Sequence, residues 1–208
     1  MAVPAWVSVA GILGTWVIAI AAIWGEKIRS KIFKPKLQLS LVDKQGLATF
    51  QTIPGNPPKT IDARYYHLRV TNGLAFPAAQ EVQVLLLALD KRGPDDNPQR
   101  LFTGPLPMVW THQQLHPLAR TIGHKTEAEA DLMFVREDVL QLTPMLLPNH
   151  LAASMQGETH IWVTLVARGL NGESKPLRLR IDWDGLWEKG DAEMARHLKI
   201  SAVDVRQD

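Results

Sequence analysis

Seven histidines and no cysteine bound the chemistry open to this chain. Three of the histidines, His112, His116 and His124, fall within a short stretch, and three imidazoles could hold zinc. The spacing of four would put His112 and His116 on one face of a helix. Pro117 and the strand-like surroundings argue against a helix there. No thiolate exists to complete the set, and the nearest carboxylates, Glu127 and Glu129, fall in a separate strand. Scattered surface histidines are therefore expected, with no metal. The same histidine density leaves one enzymatic alternative, a hydrolase or small-ligand site assembled from dispersed residues such as His112, His116 and Asp131. His67 shares a strand face with Tyr65 and Arg69. That grouping reads first as a solvated sheet face and second as a polar site. His160, beside Trp162, reads as a hydrogen-bonded sheet residue rather than a base.

Motifs for covalent catalysis and phosphate binding are missing from the sequence. There is no G-x-S-x-G elbow, and Ser40, Ser154, Ser174 and Ser201 stand in no recognisable arrangement with a histidine. No G-x-x-x-x-G-K or G-x-G-x-x-G loop occurs. Asp182 with Asp184, and Asp95 with Asp96, are carboxylate pairs without the apolar setting that would separate their pKa values, so they read as surface acids. Trp110, Trp162, Trp183 and Trp187 read mainly as core. Trp187, beyond a strand and near a terminal helix, is the candidate contact residue for a partner. The expectation is a non-catalytic chain without a cofactor.

The elements that would carry these residues are mostly extended. Leu37–Leu41 alternates apolar with polar, as does 63–70, where Tyr66, Leu68 and Val70 oppose Tyr65, His67 and Arg69. Between them, 51–60 is dense in proline and glycine and reads as a loop. The segment 81–89 is apolar on both faces by its end. Its leucines also suit a helix, but the flanking turn clusters favour a central strand. Further strands are expected at 106–110, 126–134, 159–167 and 177–183. In the last, Leu177, Leu179, Ile181 and Trp183 alternate with Arg178, Arg180 and Asp182. Short helices are expected at Glu137–Leu142 and at Asp191–Lys199, where Asp191 could cap and Met194 and Leu198 share a face. Short strands between Pro/Gly turns predict an antiparallel β-sandwich over 37–208.

The amino-terminal stretch is different in kind. From Ala5 to Trp24 there are twenty residues without a charge. As a helix they would span roughly 30 Å, the thickness of a bilayer's hydrocarbon core. Trp6 and Trp24 sit where indole rings prefer the two interfaces, and Pro4 suits a first helical turn. Ala19-Ile20-Ala21 imitates a signal-peptidase site, but the start carries no basic side chain and the apolar run is long for a signal peptide. Ala10 with Gly14, and Gly11 with Thr15, have a spacing that would allow a homodimer of spans and is also frequent by chance.

Directly after the run come Lys27, Arg29, Lys31, Lys34 and Lys36 against the single acid Glu26. That asymmetry predicts an outside amino terminus and an inside domain. The chain's formal charge of +2 is a local effect, because residues 37–208 hold 18 basic against 20 acidic side chains. A basic cluster beside a span suits anionic headgroups, at about 1 kcal/mol per residue. Nucleic acid is not expected.

The run Tyr65-Tyr66-His67-Leu68-Arg69-Val70-Thr71-Asn72, with Pro77-Ala78 and Glu81-Val82-Gln83-Val84, resembles the strand–loop–strand of bacterial immunoglobulin-like modules. The stretch Ile181-Asp182-Trp183-Asp184-Gly185-Leu186-Trp187, followed by Met194-Ala195-Arg196-His197-Leu198, is similar to uncharacterised bacterial proteins with one amino-terminal span. Together they cover about half the soluble region. The resemblance implies an immunoglobulin-like sandwich at the bacterial inner membrane and brings no catalytic residues. The expected role is a scaffold or binding module held at the inner face of that membrane, with a membrane or cytoplasmic protein as its partner.

Overall fold

A computed structural model of the chain describes residues 34–73, 77–93, 95, 97–111, 118–149 and 151–204. The chain divides into Met1–Lys34 and Pro35–Asp208; the second unit is described here. Ala5–Trp24, with Trp6, Trp24, Lys27, Arg29 and Lys31, lies outside the described residues. Among those described, no helix is long and apolar enough to cross a membrane.

The described unit is mainly β, with two antiparallel sheets and one short helix. The first sheet contains β1 (Leu37–Leu41), β2 (Leu47–Ile53), β3 (Lys59–Asn72), β7 (Glu127–Arg136), β8 (Val139–Leu142) and β9 (Ser154–Gln156). Its order is β1-β3-β7-β8-β9, with β2 also on β3. The second contains β4 (Ala79–Arg92), β5 (Pro98–Pro107), β6 (Arg120–Ile122), β10 (Thr159–Arg168), β11 (Leu177–Trp183) and β12 (Leu198–Val203). Its order is β12-β11-β10-β4-β5, with β6 on β4. The helix α1 (Asp191–His197) leads directly into β12.

Period-two patterning selects the faces. In β3 the even residues Tyr66, Leu68 and Val70 are buried, while Tyr65, His67 and Arg69 lie on the outer face. β11 buries Leu179, Ile181 and Trp183 and turns Arg178, Arg180 and Asp182 outward. The core between the sheets also contains Val82, Val84, Leu86, Leu89, Trp110, Leu132, Met133, Ile161 and Val163.

β1 and β2 occupy the same edge of β3, since Arg64 and Tyr65 pair with β2 on one side and β7 on the other. Between β1 and β2 the chain bulges through 42–46, and Gly46 takes φ +71 against the Tyr66 ring. A Cβ there would lie 2.8 Å from the ring, so only glycine fits both the conformation and the space. The two sheets join where the chain leaves β5: Met108 bridges Pro144 and Trp110 bridges Ala130, so 108–111 runs along β7.

Four sequence expectations change. The strand expected at 106–110 is instead the end of β5, which begins at Pro98, followed by isolated bridges at Met108 and Trp110. Residues 51–60 are not one loop: β2 runs to Ile53 and β3 begins at Lys59, forming a hairpin with only 54–58 outside strands. Glu137–Leu142 is not a helix but a turn followed by β8, because Leu140 and Leu142 reach the core by strand alternation. Asp191 does not cap α1. Gly190 occupies the N-cap without a side-chain hydrogen bond, and the Asp191 carboxylate is drawn instead to the buried guanidinium of Arg64.

Candidate functional site

Each sheet carries a histidine–aspartate pair on its outer face. In the first sheet a β-bulge creates it. β3 and β7 pair regularly from Arg64↔Val135 to Tyr66↔Met133, then Leu132 is skipped and His67 stands opposite Asp131. Without that extra residue His67 would face a leucine. The bulge therefore aims a carboxylate at an imidazole and lets both Leu132 and Met133 enter the core.

The crossing segment 108–111 covers the pair. Thr111 N donates to Glu129 O, and Asp131 N donates to Val109 O. Thr111 Oγ1 donates to Asp131 Oδ1 at 2.6 Å, and His67 Nδ1 donates to the same oxygen at 3.0 Å. Thr143 Oγ1 donates to the Asp131 backbone carbonyl, which ties in the segment after β8. The His67 and Asp131 side chains are only 12% and 17% exposed. The hydrogen bond to Asp131 raises the His67 pKa against the opposing effect of burial. Tyr65 stacks near the His67 ring, and Arg69 pairs with Glu129 and Glu127.

This trio is not arranged as a nucleophile with its base. A nucleophilic hydroxyl needs a base to take its proton, yet the Thr111 hydroxyl already points at Asp131. His67 Nδ1 points at that carboxylate too, so it carries a proton rather than accepting one. The arrangement fastens the crossing segment to the sheet.

The second sheet solves the same problem on a regular ladder. His160 stands directly opposite Asp182, and Trp162 opposite Arg180. His160 Nδ1 contacts Asp182 at 2.8 Å, and Nε2 contacts Glu158 at 2.9 Å. Two carboxylates on the two ring nitrogens favour the imidazolium. Its hydrogen bonds to Glu158 and then to Asp182 raise its pKa. Burial pushes the Asp182 carboxyl up, but His160 and Arg180 outweigh it and the net shift is down. Asp184 behaves similarly with His197, 2.8 Å away, and the Leu186 amide. Asp182 and Asp184 are thus not a carboxylate pair; each belongs to a different histidine. Arg180 lies over the Trp162 ring at 5.6 Å. Deeper on this face Asp90 is almost wholly buried, between Arg100 and Arg178.

At the end of the sandwich near α1, Arg64 is fully buried on the core side of β3. It donates to the carbonyls of Gln45, Gly46 and Lys189 and to the Asp191 carboxylate. One side chain thereby joins the β1–β2 bulge, the loop after β11 and the start of α1. Asp191 lies 127 positions away, and no local pattern signals such a link.

Trp110 and Trp183 are buried core residues; Trp162 lies on the outer face beneath Arg180. Trp187 is half-buried against the core, and its Nε1 is buried without a hydrogen-bond partner among the described residues. Lys34 and Lys36 are exposed, as is His124. His112, His116 and Asp96 lie outside the described residues. Among the described ones, no group of three or more His, Asp or Glu side chains is placed to hold a metal ion.

One exposed feature stands out from these paired faces. β2, Leu47-Ala48-Thr49-Phe50-Gln51-Thr52-Ile53, contains no charged residue and pairs among the described strands only with β3. Leu47 is 55% and Phe50 65% exposed. Edge strands are usually protected by charge, proline or a bulge; here the bulge precedes the strand and the strand itself is bare.

No family model, curated protein or solved structure matches this chain.

Proposed function

We propose that this protein is a membrane-tethered, non-catalytic binding module of the bacterial inner membrane, whose immunoglobulin-like sandwich takes a protein partner by strand addition at β2. The observation that carries this reading is the uncharged, unprotected edge of β2 with Leu47 and Phe50 bared. An extended segment laid against that edge would gain main-chain hydrogen bonds, with the two apolar side chains giving selectivity.

The strand order supports the immunoglobulin-like assignment. β1, β3 and β7 stand as the A, B and E strands of such a sandwich, and β4, β10 and β11 as C, F and G. The tether is Ala5–Trp24, with Trp6 and Trp24 at the interfaces. Lys27, Arg29, Lys31, Lys34 and Lys36 hold the cytoplasmic side near anionic headgroups. Confinement to that layer raises the effective concentration of partners held there. The enzymatic alternative keeps Asp131, but its carboxylate is occupied by Thr111 and His67. Full activity of a His112→Ala/His116→Ala variant in cells would remove it.

Photocrosslinking in cells tests the binding reading. A photoreactive amino acid at Phe50 should yield a discrete adduct, abolished by Thr49→Lys on the same edge; the same probe at exposed Glu173 should yield none. Equal adducts at both positions, or an adduct indifferent to Thr49→Lys, would remove β2 as the docking edge.

A further inference from the structure

The chain enters the domain at an end of the sandwich whose exposed lysines are without ion-pair partners among the described residues. Pro35 is buried against the β10–β11 turn, where a Cβ on Gly172 would come within 2.7 Å of Pro35 Cγ. Lys36 N donates to Asn72 Oδ1, and Lys36 O accepts from Gly73 N. Asn72 in turn bonds Ile122, Thr126 and Pro77 backbone groups. Entering chain, Gly73 and Pro77 between β3 and β4, the β6–β7 turn and the β10–β11 turn therefore share one end.

The apolar tip of that end is held rigidly. Gly169 N donates to Gly172 O, and Leu170 N to Gln80 O; Asn171 accepts from Gln80 N and donates to Ala78 O. The backbone of the turn is bonded while the Leu170 side chain stays 70% exposed. At the same end Lys36, Lys125 and Lys175 are exposed, and no ion pair engages them among the described residues. The acids of this end are Glu81, Glu127 and Glu173, and the latter two are already paired with Arg69 and Arg168. At the opposite end the exposed acids Asp95, Glu137, Asp138, Glu158, Asp184 and Glu188 are accompanied by Lys44, Lys59 and Lys91, and Glu137, Glu158 and Asp184 are paired with Lys59, His160 and His197, with Lys189 drawn to Asp62.

We infer that the end of the sandwich formed by the β6–β7 and β10–β11 turns is a lipid-facing surface: Leu170 inserts among the headgroups of an anionic bilayer, with Lys36, Lys125 and Lys175 at the same end. The inference rests on the tethered reading above and adds an orientation to it. A bare apolar tip with lysines at the same end fits an anionic membrane surface. The far end mixes acids with lysines and holds most of its acids in pairs, so it has no comparable cluster of unpaired cations among the described residues. Attraction reaches only about 8 Å at physiological salt. Turns adjoining the point where the chain enters are therefore the ones able to use it.

The cysteine-free chain makes the test direct. Full-length Leu170→Cys and Asp95→Cys proteins, labelled with a fluorescent thiol probe, are reconstituted into phosphatidylcholine vesicles with or without phosphatidylglycerol, each containing a headgroup nitroxide quencher. Flotation reports incorporation separately. The expected result is loss of fluorescence at position 170 but not 95, stronger with phosphatidylglycerol. Lys125→Glu/Lys175→Glu in the Leu170→Cys background should remove the phosphatidylglycerol dependence. Proteins that float but are quenched equally at both positions, or at neither, overturn the orientation while leaving the tether intact. Failure to float overturns the tether and the orientation with it.

Discussion

The two outer sheet faces hold the same pair of side chains and use it differently. His67–Asp131 in the first sheet is created by a bulge, covered by the strand that crosses between sheets, and shares its carboxylate with Thr111. His160–Asp182 in the second sits on an unbroken ladder, with its remaining ring nitrogen held by Glu158, a side chain 71% exposed. A histidine–aspartate pair therefore says little by itself; what lies over it decides whether it fastens one segment to another or decorates a surface.

The largest expected effect comes from the second face, where Asp90 is clamped by Arg178 and Arg100. Asp90→Ala leaves the nearly buried Arg178 uncompensated and should cost about 3 kcal/mol, measured by chemical denaturation followed through tryptophan fluorescence. A loss no larger than that of an exposed ion pair would show the clamp to be solvated.

Next is Asp131→Asn, which weakens the bonds to Thr111 and His67 together and should cost about 1–2 kcal/mol. In the same variant His67, followed by NMR, should titrate closer to its ordinary value of about 6.5, with His160 unmoved. Equal movement of both histidines would erase the contrast between the faces.

The pH dependence sharpens it further. Both histidines have folded pKa values raised above the unfolded one. Their contribution is complete below about 6.5 and is lost as pH rises through the folded values. Asp182 and Asp184 are lowered, so their contribution is present above about 3.9 and is lost as pH falls through their folded values. Stability should therefore decline from mildly acidic toward alkaline pH, and His67→Gln and His160→Gln should each flatten that decline. A decline unchanged by both substitutions would show that neither pair carries it. Smallest of all, Glu158→Gln should change stability by no more than a few tenths of a kcal/mol, because its partner pair is largely solvated.

The second face was legible in sequence: unbroken alternation through Leu177–Trp183 put Arg178, Arg180 and Asp182 outside, and His160, beside Trp162 on its own strand, read as a hydrogen-bonded sheet residue. The first was not. One extra residue at Leu132 reverses the parity on which such a reading depends, so nothing local joins Asp131 to His67. Arg64 and Asp191 meet across most of the domain for the same lack of a local signal. The hairpin of β2 and β3 was hidden by prolines that occupy its turn, and Glu137–Leu142 looked helical because its leucines are too few to show a period of two. The helix near the end was found, two residues long of its observed limit, since β12 begins at Leu198.

The proposed tether makes one claim that cell fractionation can test. Membranes from cells expressing the full chain at native level, washed with alkaline carbonate, should retain the protein in the pellet, and deletion of residues 5–24 should release it to the supernatant. A full-length chain recovered in the supernatant would contradict the claim.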